Sequence, residues 1–410
     1  MSRHPVSTKS APLHVSLVAI PEAVVSTLSG IFDVMNAFAI MAPPGAFSSE
    51  VDTASREENA TKRPQAFSRE VDNASREENA GSPALGAVSL MGEKRRRSGA
   101  APAHAPPFRV EIVGLQTGPL ELASHVPITV QRSIAALETT DIIIVPSVLL
   151  GSDGWRKGRY PELIEWLHAM HARGAHLCSA CSGIFLLAET GLFDGMDATV
   201  HFGYAEAFAA TFPRVRIHPE RVLVVSGEQE ELISSGASMT WHDLVLYLIA
   251  RHAGATAAQA VARFFALQWH QDGLAPYIVF EGRNDHGDLA IRAAQDWVAT
   301  HFSVAHPVEE MIRRTGLAER TFKRRFTSAT GLGPLVYVQR LRIEDAKRRL
   351  ERTEASVDEI SWQVGYEEPA FFRRLFKRVT GLTPGVYRRR FRIPDYARAD
   401  RKDPRPRIRA

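Results

Sequence analysis

Two cysteines three residues apart, in Leu177-Cys178-Ser179-Ala180-Cys181-Ser182-Gly183, have the most reactive potential in this 410-residue chain. Small residues here, with Ile-Phe-Leu-Leu behind them, predict a strand that turns sharply into a helix. A helix start offers free N–H groups and a partial positive charge, which favour a thiolate. Cys181 therefore has the setting of a nucleophile, and His201, twenty residues on, can supply the base of a Cys–His pair. The same residues also suit a small buried hydrophobe and a structural histidine. The spacing Cys178-x-x-Cys181 admits a redox pair, although Cys178 reads as ending the strand rather than opening the helix. His168, His171 and His176 lie close enough in sequence to raise zinc, but the first two fall on the preceding helix. Four donors then do not converge, and no metal or cofactor is expected.

Alternating strands and helices must position that elbow. Residues 14–20 read as a short apolar strand, and Val24, Leu28, Ile31, Val34 and Phe38 as one helix face. Regular patterning stops over residues 43–107, which are rich in Ala, Pro, Ser, Glu and Arg. Inside this stretch, residues 46–60 and 66–80 match at 13 of 15 positions, a tandem repeat of 20 residues. Too little apolar surface is available there to offset chain entropy, so the segment reads as a disordered insertion. Order resumes with strands at 108–114, 141–145 and 175–178, and with helices at 161–172 and from about 183 to 190. This alternation predicts a parallel sheet with helices on both faces. Short strands over 215–233 and apolar helices at 241–253 and 257–268 complete the domain, and polar residues 272–286 form a linker.

Beyond the linker one pattern is written twice. Phe322-Lys-Arg-Arg-Phe326, Thr330-Gly331-Leu332, Pro334 and Tyr337 recur, 50 positions later, as Phe372-Arg-Arg-Leu-Phe376, Thr380-Gly381-Leu382, Pro384 and Tyr387. Each copy reads as supporting helix, glycine turn and basic helix, which is a helix-turn-helix. The supporting helices cover 308–315 and 357–364, the recognition helices 319–329 and 368–379, and a long helix at 334–352 separates the copies. Phenylalanines four apart face a core, which turns the intervening residues toward groove edges and phosphates. The expected DNA contacts are Arg320, Thr321, Lys323 and Arg324 in the first copy, and Ala370, Arg373, Arg374 and Lys377 in the second.

Charge agrees with this division. Residues 287–410 hold 27 Lys and Arg against 16 Asp and Glu, net +11, whereas the rest of the chain is net −7. A basic module on a mildly acidic body suits a polyanion partner. No apolar stretch approaches the roughly 18–20 residues needed to span a bilayer, the first 13 residues lack a signal-peptide core, and two cysteines make no disulfide framework. A cytoplasmic protein is expected.

Gly365-Tyr366, Phe371-Phe372-Arg373-Arg374-Leu375-Phe376-Lys377 and Gly381-Leu382-Thr383-Pro384 with Tyr387-Arg388 resemble the AraC/XylS family of transcription regulators. Pro369 and Ala370 depart from it, at positions often polar in the family. Residues 181–195, from Cys181 to Gly195, through Thr199-Val200-His201 resemble the PfpI-type, class I glutamine amidotransferase-like domain, and the two together look like the GlxA group of regulators. Enzymatic relatives use a glutamate in the first helix, where this chain has Thr27. The resemblance therefore implies a flavodoxin-like α/β sensor domain (residues 1–42 and 108–271) and an all-α double helix-turn-helix domain (287–393) with a basic tail (394–410). It implies a DNA-binding regulator, an activator in many relatives, and not an enzyme. Cys181, Ser182, Gly183, His201 and Thr27 would line an effector pocket. Expected partners are double-stranded DNA, a small nitrogenous metabolite, RNA polymerase and a second copy of the chain. The alternative is a Cys–His hydrolase or deglycase fused to a DNA-binding module, and a third reading is a Cys178–Cys181 redox sensor.

Overall fold

The computed structural model describes residues 11–37, 106–394 and 397. The expected disordered insertion, except for its last two residues, and nearly all of the basic tail lie outside these residues.

The α/β domain opens with strand β1 (Leu13–Val18) and helix α1 (Val25–Asn36), then β2 (Phe108–Gly114), a hairpin of β3 (Gly118–Glu121) and β4 (Pro127–Val130), and β5 (Arg132–Ser133). Strand β6 (Ile142–Val145), helix α2 (Pro161–Ala172), β7 (His176–Ala180) and the short helix α3 (Ile184–Ala188) follow. The domain ends through β8 (Asp197–Ala198), α4 (Ala205–Thr211), β9 (Arg216–Ile217), β10 (Leu223–Ser226), β11 (Leu232–Ser235), α5 (Trp241–Ala253) and α6 (Ala255–Phe264). The main sheet has the order β10-β11-β7-β6-β1-β2-β5, parallel except for the β10 edge.

Continuous burial of β6 shows why the sheet sits between two helix layers. Ile143 and Val145 join a core with Leu163, Leu167 and Met170 of α2 and Ile184 to Ala188 of α3. Ile142 and Ile144 are equally buried and must point to the other face, because successive strand residues alternate. There α1 packs on α5 closely enough that a Cβ on Gly30 would meet the Trp241 ring at 2.6 Å.

The helical domain comprises α7 (Leu289–His301), α8 (Pro307–Thr315), α9 (Glu319–Thr330), α10 (Pro334–Arg352), α11 (Val357–Gln363), α12 (Pro369–Thr380) and α13 (Pro384–Phe391). Helix α10 serves two cores. Its first half gives Tyr337 and Val338 to a cluster with Ile291, Met311, Phe322 and Phe326. Its second half gives Ile343, Ala346 and Leu350 to a cluster with Ile360, Phe372, Phe376 and Tyr387. The duplication extends to single hydrogen bonds: Thr330 Oγ1 donates to Phe326 O at 2.8 Å, and Thr380 Oγ1 to Phe376 O at 2.8 Å. Gly316, at φ +64°, supplies the left-handed residue that turns α8 into α9.

Three element expectations need correction. Strand β7 runs to Ala180, so Cys178 lies inside it rather than at its end. The helix expected at 183–190 is a 3₁₀ turn, Cys181–Gly183, followed by five α-helical residues. Helix α6 stops at Phe264, because Ala266 turns left-handed at φ +53° and Leu267 N–H reaches back to Ala262 O at 2.8 Å.

Candidate functional site

The elbow lies at the carboxyl end of β7, where open parallel sheets place their binding crevices. Cys181 holds φ +53° and is 1% exposed, with its Sγ 3.4 Å from the Ser238 hydroxyl. Ser182 Oγ donates to Val148 O at 2.7 Å and accepts from Val148 N–H at 2.9 Å. Gly183 lies flush on the end of β6: a Cβ there would come within 2.4 Å of Val145 O and 2.5 Å of Pro146 O. Thr27 Oγ1 of α1 donates to Ser147 Oγ at 3.1 Å, and both residues are 1% exposed. Thr27, Ser182 and Gly183 thus converge on the turn at 145–148, next to Cys181.

This convergence is one of hydroxyls. None of the hydrogen bonds of Cys181, Ser182 or Thr27 among the described residues goes to a carboxylate or an imidazole. His201 Nδ1 instead accepts from Gly203 N–H at 3.0 Å, and its ring stacks on Phe202 at 4.3 Å. Burial pushes the His201 imidazole below the usual histidine range. The ring is a turn cap, and no hydrogen bond joins it to Cys181. The Ser182 hydroxyl is committed to both polar groups of Val148, so what this residue offers at the elbow is its backbone. Cys178 is 0% exposed, and burial pushes its thiol up, which disfavours the thiolate that disulfide exchange requires. Ser147 and Ser238 carry no sequence signal of their own, since only tertiary packing brings them beside residues 27 and 181.

The second surface is basic. Phe322, Phe326, Phe372 and Phe376 are 0% exposed and fix the roll of α9 and α12. Arg320, Lys323 and Arg324 are exposed on α9, with Thr321 half-buried between them; Ala370, Arg373, Arg374 and Lys377 are exposed on α12. Lys323 ion-pairs with Glu319 one turn back, and Arg373 with Asp358 of the supporting helix. Exposed pairs of this kind are weak and are readily exchanged for phosphate. Arg325, beside the expected contacts, turns inward and forms two hydrogen bonds to Asp288, at 2.9 and 2.7 Å. Arg342, in mid-α10, donates to Phe302 O, Val304 O and Gly365 O at 2.7 to 3.0 Å, joining the two copies through one guanidinium. Among the described residues, no helix is long and apolar enough to cross a membrane.

Residues 103–249 match the DJ-1/PfpI family, and residues 311–390 match a helix-turn-helix domain. The HTH-type transcriptional regulator CdhR of Pseudomonas aeruginosa is 26% identical over 282 residues, covering 66% of this chain and 78% of that protein. GbdR of the same species is 24% identical over 236 residues, covering 55% and 60%. GlxA of Rhizobium meliloti is 27% identical over 209 residues, covering 50% and 63%. The chain thus spans less than two thirds of the length of the last two. It carries a DJ-1/PfpI domain followed by a helix-turn-helix domain, and the relatives to which it is similar are HTH-type transcriptional regulators.

Proposed function

We propose that this chain is a sequence-specific DNA-binding transcription regulator, and that its DJ-1/PfpI domain senses a small metabolite rather than transforming one. The observation that carries the reading is the paired recognition helices: two basic faces, each rolled outward by buried phenylalanines and joined through α10. Successive major-groove faces lie about 34 Å apart on one side of B-DNA, which suits two modules on one connector. Sensing is supported by an elbow ringed with hydroxyls, with Thr27 at the position that the family resemblance gives to a carboxylate in enzymatic relatives, and by a His201 ring that caps its own turn. A Cys–His hydrolase would need a base that hydrogen-bonds the thiol. The effector class carried by the resemblance is a nitrogenous metabolite. A homodimer on a two-fold operator, acting on RNA polymerase, belongs to the same reading.

The test is capture of genomic DNA fragments by the purified full chain, repeated with candidate metabolites. Enrichment of one motif is expected, with affinity falling steeply as salt rises because phosphate contacts release counterions. Recovery of fragments without a common motif, metabolites present or absent, would remove the reading. Turnover of an electrophilic substrate that disappears in Cys181→Ala would support the hydrolase instead.

A further inference from the structure

The segment that leaves the α/β domain for the linker is fixed to the start of α5 by three side chains. Asp243 Oδ1 accepts from the backbone N–H of His270 at 2.9 Å, and Asp243 Oδ2 lies 2.7 Å from His270 Nδ1. His242 Nε2 lies 2.8 Å from Gln268 O and 3.5 Å from the same Asp243 Oδ2. The side chains of His242, Asp243 and His270 are 10%, 4% and 22% exposed. One donor atom from each lies within 4.8 Å of the others, and among the described residues no other three His, Cys, Asp or Glu side chains come so close.

We propose that His242, Asp243 and His270 form a site for a divalent transition-metal ion of the zinc type. Imidazole nitrogen and carboxylate oxygen bind zinc at about 2.0–2.2 Å, so a tetrahedral set holds its donor atoms roughly 3.3 Å apart. The separations of 2.7 and 3.5 Å to Asp243 Oδ2 bracket that spacing. Two nitrogens and one oxygen without a thiolate suit zinc, nickel, cobalt or ferrous iron, whereas calcium and magnesium prefer oxygen alone. Among the described residues, the hydrogen-bond and ion-pair partners of Asp243 are a backbone N–H and two imidazoles, not a lysine or arginine. A bound cation would give this buried carboxylate the permanent positive partner it lacks. Asp243 and His270 also line a cavity of about 640 Å³ with Tyr247, Trp269 and Arg221, so a three-residue site would keep an open position facing it. Gln271 and Gly273 line the same cavity and flank Asp272, which pairs with Arg390 of α13 at 2.6 Å. A metal here would stiffen the strap that runs onto the DNA-binding domain.

The test uses the full chain without an affinity tag, stripped by a chelator and titrated with Zn²⁺ by calorimetry and with Co²⁺ by visible absorption. One equivalent of Zn²⁺ should bind the wild type, and Co²⁺ should give the intense bands of a low-symmetry four- or five-coordinate site. His270→Gln and His242→Gln keep polar side chains but lose a good ligand, and each should weaken binding by about 100-fold or more. Binding well below one equivalent, octahedral-type Co²⁺ absorption alone, or wild-type affinity in both variants overturns the site and leaves a hydrogen-bonded staple. The metal is read directly, so failure here leaves the DNA capture result standing.

Discussion

Cys181 Sγ lies 3.4 Å from Ser238 Oγ while the cysteine backbone holds φ +53°, so the one left-handed residue of the elbow carries its thiol. A non-glycine residue there costs roughly 1–2 kcal/mol. The surroundings hold it in place: Ser182 clamps Val148 on one side, and Gly183 admits the backbone of β6 on the other. Cys181→Ser replaces one polar atom without touching either support. Fold and basal DNA affinity should be retained, while the response to an inducing metabolite changes. Inducible reporter transcription and calorimetric ligand affinity measure this, with His201→Ala alongside. Unchanged induction and affinity in both variants would remove the elbow as the sensing site and leave Cys181 as core.

Gly183→Ala tests the support itself. The added Cβ would sit 2.4 Å from one carbonyl oxygen and 2.5 Å from another, and both belong to backbone that cannot swing aside. Overpacking of this kind costs typically about 1–3 kcal/mol. Gly333→Ala is the control: its φ is −64° and an added Cβ meets nothing within 4 Å. Urea unfolding should show a clear loss for the first and a neutral or slightly positive change for the second. Equal midpoints would mean that the elbow is looser than its geometry.

Acid should loosen the α/β domain through two histidines. The rings of His176 and His252 lie 5.9 Å apart, and both imidazoles are held below the usual histidine range, first by burial. For His176 the next cause is Arg251; for His252 it is His176 and then Arg251, while Asp141 opposes both and Glu231 also opposes for His176. A depressed folded value means that the unfolded chain binds more protons, so this stability is present above about pH 6.5 and is lost as pH falls below it. The melting temperature should therefore drop between about pH 7.5 and 5.5. His252→Leu should flatten that slope, at little cost near neutrality because His252 Nε2 is buried with no hydrogen-bond partner among the described residues. An unaltered slope would assign the pH dependence to other groups.

Local signals account for what was legible in the sequence. Pro161 and Pro334 at helix starts, with apolar residues at helical spacing behind them, placed α2 and α10 to the residue. The duplicated phenylalanines likewise fixed which side of α9 and α12 is buried. Features made by tertiary approach were not legible. Asp243 meets His270 across 27 residues, and Thr27 meets Ser147 across 120. The β3–β4 hairpin, Gly118–Glu121 against Pro127–Val130, is silent in the sequence because a short, largely exposed ribbon leaves little apolar pattern. The end of α6 carries no sequence mark, because its left-handed residue is Ala266 rather than glycine.

Arg324 and Arg325 are neighbours on α9 with opposite commitments, and substituting each separates reading from folding. Arg324 is exposed on the face that Phe322 and Phe326 turn outward. Arg325 is held by two hydrogen bonds to Asp288, the residue that also caps α7 by accepting from Ile291 N–H at 3.2 Å. The Arg325 guanidinium holds the Asp288 carboxyl below the usual carboxylate range, in keeping with a pair that keeps its charge. Arg324→Ala should leave the melting temperature unchanged and weaken operator binding by about 1–3 kcal/mol, relaxing preference at one base pair if it reads a base edge. A uniform loss across operator variants would make it a phosphate contact instead. Arg325→Ala should lower the melting temperature of the first helix-turn-helix, since the pair that orients the capping carboxylate of Asp288 is lost. Once folded, it should bind DNA with nearly wild-type preference. Thermal melts and fluorescence anisotropy on an operator series measure both quantities. If Arg325→Ala altered base preference while leaving stability intact, the inward assignment of that side chain would fall, and with it the roll of α9 on which the other contacts depend.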